Sequence, residues 1–367
     1  MSFFRVMALA GRIVRQFLRD HRTLALLFLA PLLVMTLLQI VLTSSSGSAT
    51  LAIVPPAGPL GAALVQSIKT PDSVTLKVIS ASQVEAGLKA GTYDGVLIFP
   101  DDYLAQAQQG QQPTLTLQLE GSNPSAANQL KSIVTLLIAT VAAAPLADQQ
   151  APVTPALTTT YLYGGPEYTQ TDALAPLLIG VFSLFFVFLL TSVAFLRERS
   201  QGTIERLLVS PMTRAELVLG YVCGFTLFAL AQSAVILLYV IFVLRVHYAG
   251  NPFVIFLVTA LLTIGGVNLG IFISAFARNE LQIVQFIPLV IVPQILLGGL
   301  FFPVKTLPVV LYQLAYVMPL TYANNALQGV MLKGFGVGDI LGDLAFIVGF
   351  ALLMVLLAAF SLRQEKV

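Results

Sequence analysis

Few residues in this chain have the types and spacing that chemistry needs. Asp101-Asp102 is an acid pair of the kind that holds a cation or shares a proton. It follows Phe99-Pro100, however, where acids suit the positive end of a starting helix, so it reads as a helix opening. His21 and His247 are far apart and both border apolar runs, an interfacial rather than a catalytic placement. The single cysteine, Cys223, lies inside an apolar run, so the chain closes no internal disulfide, and nothing resembles a metal site. There is no H-E-x-x-H, no G-x-S-x-G and no G-x-x-x-x-G-K-S/T phosphate loop. Lys333-Gly334-Phe335-Gly336 is glycine-rich but lacks that spacing. No catalytic residue and no metal ligand is expected.

The strip RERSQGTIERLLVSPMTRAEL, Arg197 to Leu217, is different. It stands between two of the most apolar runs and holds four Arg and three Glu within residues 197–216. Each charge costs about 2.5–3.5 kcal/mol at a bilayer centre, which keeps the strip out of a membrane. Its pattern is not that of a flexible linker. Gly202 and Thr203 can start a helix on which Ile204, Leu207 and Leu208 share one face while Glu205 and Arg206 point elsewhere. Ser210-Pro211 stops it, and Thr213-x-x-Glu216 fits a capping box that starts the next helix. The expected product is an amphipathic helix of one to two turns, held crosswise between two spans. Such a helix either lies on lipid as an elbow or inserts into a groove on a cytoplasmic protein and passes that protein's movement to both spans.

The elements that must hold this strip follow from composition. The 367 residues are 57% hydrophobic and 10% charged, against roughly 25% charged in soluble domains. A net charge of +2 implies no nucleic-acid partner. Charge-free runs long enough to cross a bilayer occur at Thr23–Leu42, Ala173–Leu196, Leu217–Leu244, Pro252–Ala277 and Leu281–Val304, and a slightly shorter one at Leu344–Leu362. Six spans place Arg5, Arg12, Arg15, Arg19, Arg22, Arg197, Arg199, Arg206, Arg214, Arg278, Arg363 and Lys366 on one side, the cytoplasmic one by the positive-inside rule. Making Ser132–Ala147 a span would invert the charged strip, so that segment is assigned to an external domain. A cleaved signal peptide is the rival reading of residues 1–49, but its apolar run exceeds the usual 7–15 residues.

The expected fold is therefore a polytopic α-helical membrane protein of six transmembrane helices, with both termini cytoplasmic and an external α/β domain between the first two spans. Residues 1–22 read as an interfacial amphipathic helix, because Phe3, Phe4, Met7, Ala10, Val14, Phe17 and Leu18 oppose Arg5, Arg12 and Arg19. Residues 23–43 form the first span and 44–170 the external domain. There LAIVPP, SVTLKVI, GVLIFP and TLTLQL read as strands, GPLGAALVQSIK and SASQVEAGLKAG as helices, and about 122–144 as a long final helix. Residues 171–244 hold spans two and three with the strip between them, and 245–367 hold spans four to six. Pro308 and Pro319 break residues 303–333 into short helices, read as an outer re-entrant segment.

At this level of detail the residues resemble a family. Arg197-Glu198-Arg199, then Gly202-Thr203-Ile204-Glu205, Leu207-Leu208-Val209-Ser210-Pro211, Glu216 and Gly220 look like the cytoplasmic loop of ABC-2 type permeases, the membrane subunits of type V fold ABC exporters. Gly298-Gly299-Leu300-Phe301-Phe302-Pro303, Leu307-Pro308 and Met318-Pro319-Leu320-Thr321-Tyr322-Ala323 resemble that family's outer re-entrant segment. One departure is Tyr221, where many members place Lys after the glycine.

The resemblance covers nearly the whole chain and implies an ATP-driven exporter moving a drug, lipid or natural product outward. ATP and Mg would be held by a separate ATPase subunit, because this chain has no phosphate loop and needs no cofactor of its own. Glu198, Gly202, Thr203, Ile204, Glu205, Leu207, Leu208, Ser210 and Pro211 would form the coupling helix on that ATPase. A second copy or a paralogue would complete a dimer in a bacterial inner membrane. Substrate would pass near spans two and five, with Phe182, Phe186, Gln285 and Gln294 lining the path; the alternative is that these phenylalanines face lipid and the glutamines bond neighbouring helices. Gly266-x-x-x-Gly270 reads as close helix packing. The competing function is a membrane-anchored receptor or assembly protein that binds ligand through the external domain.

Overall fold

The structure is a computed structural model that describes residues 2–42, 49–56, 71, 73–109, 111–143, 154–166, 168–302 and 304–361. The helix expected over GPLGAALVQSIK lies outside these residues. The chain divides into two compact units, Met1–Leu42 with Leu174–Val367, and Thr43–Ala173.

The unit over Thr43–Ala173 is built on five strands: β1 (Ala49–Val54), β2 (Val74–Val78), β3 (Gly95–Ile98), β4 (Thr114–Leu119) and β5 (Ala156–Tyr161), in the order β2-β1-β3-β4-β5. β1 pairs in parallel with β2 and β3, β3 with β4 antiparallel, and β4 with β5 in parallel. Alternation along β1 explains the layers, because successive side chains leave opposite faces of a strand. Leu51 and Ile53 join Leu97, Leu117, Leu119, Leu130 and Val134 in one core. Ala52 and Val54 join Val84, Leu88 and Val96 in another. Among the described residues of this unit stand the helices α3 (Val84–Lys89), α4 (Tyr103–Gln108) and α5 (Pro124–Ala143), numbered after α1 and α2 of the other unit. The Ser80 amide donates to Gln83 Oε1 at 3.2 Å ahead of α3. Asp102 precedes α4 and accepts from Gln106 Nε2 at 2.6 Å, so the acid pair sits at a helix start. The strand β5 is an addition to the four read from sequence.

The helical unit begins with α1 (Phe3–Arg19) and α2 (His21–Leu42), which meet at an 80° bend. The break falls at Asp20, three residues before the expected start of the first span. The reason is local: Asp20 accepts from the Thr23 amide at 3.2 Å and the Thr23 hydroxyl at 2.6 Å, which caps α2. Then follow α6 (Gln170–Ser200), α7 (Thr203–Leu208), α8 (Arg214–Phe242), α9 (Pro252–Ser274), α10 (Glu280–Leu297), α11 (Val309–Ala315), α12 (Pro319–Lys333) and α13 (Leu341–Ser361). Among the described residues, α6, α8, α9, α10 and α13 are long and apolar enough to cross a membrane; the bent α1–α2 pair makes a sixth if taken as one span.

The core of this unit is centred on α6, whose Leu178, Ile179, Leu184 and Phe188 are fully enclosed. Gly266 and Gly270 of α9 permit a close approach to it. A Cβ on Gly270 would meet the Phe188 carbonyl oxygen and Thr191 Cβ at 3.0 Å, and one on Gly266 would meet Leu184 Cδ1 at 2.9 Å. The helix α10 ends at Leu297, short of the expected Val304, because Gly298 caps it and Gly299 turns at φ +87°. Pro308 and Pro319 stand at the starts of α11 and α12, so residues 309–333 form two short helices rather than one long one.

Candidate coupling site

The charged strip is built from the last turn of α6 upward. Three successive charged residues there turn to three different neighbours. Arg197 Nε pairs with Glu280 Oε1 of α10 at 3.2 Å. Arg199 Nη1 donates to the Ser274 carbonyl oxygen at 2.6 Å, satisfying an end of α9 that lacks an intrahelical partner. Glu198 turns inward, its side chain 9% exposed. It accepts from the Tyr221 hydroxyl at 2.8 Å and from Gln16 Nε2 at 2.9 Å, and lies 3.5 Å from Arg12 Nη2. The resemblance places Glu198 in the coupling contact; here its carboxylate is occupied inside the chain, because this face of α6 turns toward α1 and α8.

After Ser200 the chain reverses at Gly202, whose φ of +68° suits a residue without a Cβ. Thr203 opens α7. Ile204 is buried among Leu9, Phe195, Leu217 and Tyr221, and Leu207 packs on the same cluster. The apolar face of this helix is thus packed on the chain's own core. The side chain of Leu208 lies outside the described ones. What α7 presents outward is Glu205, Arg206, Val209 at 90% exposure, and Pro211. Ser210 donates its hydroxyl back to the Leu207 carbonyl oxygen and closes the turn.

The expected capping box is present. Thr213 Oγ1 accepts from the Glu216 amide at 3.3 Å, and Glu216 Oε2 accepts from the Thr213 amide at 2.8 Å. Glu216 has a second duty that the sequence reading missed. Its carboxylate also accepts from the Ser2 amide and lies 3.6 Å from Arg5 Nη1, while Arg5 donates to the Pro211 carbonyl oxygen. Arg5 and Arg12, two helical turns apart, therefore meet the two glutamates that bracket the strip. The signal was legible in that spacing, seven residues on one face.

The helix α1 is not simply laid on a surface. Val6, Leu9, Ala10, Ile13 and Phe17 are buried against α8, whereas Phe3, Phe4, Met7 and Leu18 remain exposed as a second apolar stripe. Close seating needs small residues on α8. A Cβ on Gly220 would meet Leu9 Cδ2 at 2.6 Å, and one on Gly224 would meet Ile13 Cβ at 3.0 Å.

Between α1, α2, α6 and α8 lies a cavity of about 280 Å³, mostly apolar, with Phe17, Phe186 and Phe225 in its walls and Asp20, Arg197 and Glu198 among its polar groups. The residues expected along a substrate path are not brought together. Phe182 and Phe186 are neighbours, their ring centroids 6.0 Å apart, but both are buried in the chain's own core. Gln285 is exposed, whereas Gln294 is 3% exposed and its Oε1 has no hydrogen-bond partner among the described residues. Nine residues at about 100° each put the two glutamines on opposite sides of α10, so one wall does not hold both.

A family model described as "ABC-2 family transporter protein" matches residues 21–360. Among similar proteins, "ABC transporter G family member 20" of Dictyostelium discoideum is 32% identical over 225 residues, 60% of this chain and 31% of that protein, so the chain spans about a third of that relative's length. "Probable multidrug ABC transporter permease YbhS" of Escherichia coli is 24% identical over 91% of this chain and 90% of its own length. "Linearmycin resistance permease protein LnrN" of Bacillus subtilis is 25% identical over 95% and 96%.

Proposed function

The chain belongs to the ABC-2 transporter family as a multi-pass membrane permease, and from that premise we propose that it exports hydrophobic or amphipathic molecules, driven by a separate ATPase subunit that α7 contacts. Six spans, with α1 and α2 contributing one, put both termini and the α6–α8 strip on the cytoplasmic side of a bacterial inner membrane and the unit over Thr43–Ala173 outside. A second copy or a paralogue completes the complex. The bacterial relatives named for multidrug transport and linearmycin resistance support a drug, lipid or natural product as cargo.

The observation that carries this reading is the mounting of α7. Its inner face is locked into the core through Ile204, and the junctions on either side are held by Arg12–Glu198 and Arg5–Glu216. A force on the exposed tip, Glu205 to Pro211, is thereby handed to α6, α8 and α1 together. Purification from native membranes in mild detergent should bring the ATPase subunit with the chain. Val209→Asp places a charge at the most exposed apolar point of the tip and should abolish that co-purification while the permease remains monodisperse. Unchanged ATPase recovery and unchanged efflux in Val209→Asp would show that the tip is not the contact.

A further inference from the structure

The cavity between α1, α2, α6 and α8 has an uneven charge at its polar end. Arg197 is taken by Glu280, and Glu198 is held by Arg12, Gln16 and Tyr221. Asp20 is left. Its carboxylate accepts from the Thr23 amide and hydroxyl and from the Arg22 amide; Arg197 acts on it from farther off, and no cation among the described residues stands within ion-pairing distance. A carboxylate has room for about four acceptor contacts, so Asp20 has capacity left over. Gln16, whose nitrogen is spent on Glu198, supplies a further acceptor on the same wall. The rest of the cavity is aromatic and aliphatic, and Phe17 meets Phe225 edge-on at 5.7 Å. A volume of about 280 Å³ is near the lower bound for small-molecule pockets and well above what admits a single benzene ring. Leu26 of α2, 59% exposed, stands at its margin.

We propose that this cavity binds an amphipathic molecule whose protonated amine pairs with Asp20 and whose apolar body lies among Phe17, Phe186 and Phe225. Two carboxylates, Asp20 and Glu198, against one guanidinium, Arg197, in the lining favour a cation over an anion. The site lies at the bend where α1 meets α2, so a membrane-dissolved amine would reach it with its head at the polar margin and its tail in the apolar part. Occupancy rests on this geometry alone. Only the further step, that the bound amine is cargo, rests on the exporter reading.

The test uses the absence of tryptophan from the chain. Leu26→Trp creates a single tryptophan at the cavity margin of the full-length protein, read by excitation beyond the tyrosine band in phosphatidylcholine nanodiscs with a tryptophan-free scaffold. The probe is dodecylamine brominated at its far carbon, with brominated dodecanoate as the anionic control. The amine should quench saturably and the carboxylate only in proportion to its partition into lipid. Asp20→Asn keeps an acceptor for the Thr23 amide, so α2 stays capped, yet it should raise the amine's midpoint about 10-fold or more, as expected for loss of a charged hydrogen bond. Val193→Phe, which fills the cavity, should abolish saturable quenching. Equal quenching by both probes, or an unchanged midpoint in Asp20→Asn, overturns the proposal. Repeating the titration with phosphatidylethanolamine in the disc should leave the midpoint in place; a 10-fold rise would assign the pocket to that lipid's headgroup instead. Saturable, Asp20-dependent binding without transport by the reconstituted complex would leave the pocket standing and refute the step that the bound amine is cargo.

Discussion

The junction at Glu198 makes a quantitative prediction. Three donors converge on one buried carboxylate, and all of them come from two other helices: Gln16 and Arg12 from α1, and Tyr221 from α8. Tyr221→Phe removes one hydrogen bond to a charged acceptor. That is worth about 1.5–3 kcal/mol in water-soluble proteins, but interhelical hydrogen bonds in membranes average about 0.6 and reach about 1.7. At the margin of the membrane, about 1–2 kcal/mol is expected. Glu198→Ala removes the acceptor altogether. The Tyr221 hydroxyl, on a fully buried residue, is then unsatisfied at about 1–3 kcal/mol, and Gln16 loses its partner. Arg12, with its side chain 42% exposed, regains water, so its share is small. The single substitution should cost about 3 kcal/mol. In the double variant the second change should add little, because the hydroxyl that Glu198→Ala strands is already gone. The coupling energy should therefore be about 1–2 kcal/mol. Reversible unfolding from dodecyl maltoside into dodecyl sulfate, followed by circular dichroism, measures all four species. Costs that add within about 0.5 kcal/mol, or a Glu198→Ala variant as stable as the parent, would refute a shared network.

Other expectations follow from separate features. Gly220→Val drives a branched side chain into Leu9 and should cost about 1–3 kcal/mol by overpacking; hydrogen exchange should rise through α1 while α13 is unaffected. In a Cys223→Ala background, Arg206→Cys should react with an impermeant maleimide only after cells are opened; reaction in intact cells would invert the orientation. Burial raises the Asp94 carboxyl above its ordinary value of 3.8, opposed by the Thr50 amide that donates to it and reinforced by the Glu120 carboxylate. The folded unit then holds that proton more tightly than the unfolded chain, so its stability should be fullest below about pH 4 and fall as pH rises through the folded pKa. Asp94→Asn should remove that slope from the hydrogen-exchange stability of β1 and β3; an identical slope in the variant would assign the dependence to another group.

Spans and caps were legible because they are local. Unbroken apolar runs marked α6, α8, α9, α10 and α13, and Thr213 with Glu216 marked a helix start without any knowledge of the neighbours. The limits of the reading were tertiary. Nothing in periodicity says what the apolar face of a six-residue helix packs on, and Ile204 is found on the chain's own core. The strand β5 is short and half-buried, and the β-branched run of Thr158 to Thr160 was its only cue. Glu216 and Gly220 stood out as motif residues, but their purpose shows only in three dimensions: one holds the start of α1, the other makes room for Leu9. Tyr221, the departure from the family pattern, reaches the Glu198 carboxylate that a lysine in its place would also seek.

The seating of α1 on α8 has a consequence for how the molecule is made. This helix leaves the ribosome some two hundred residues ahead of its partner, Gly220 with Gly224. At about 5–20 residues per second, roughly 10–40 s pass in which Val6, Leu9, Ile13 and Phe17 have no protein to cover them. During that interval the helix must shelter on lipid or under a chaperone, and it can dock only once α8 has been made. A helix made well before α6 and α8 is thus locked only after both exist, and its docking registers that they are in place.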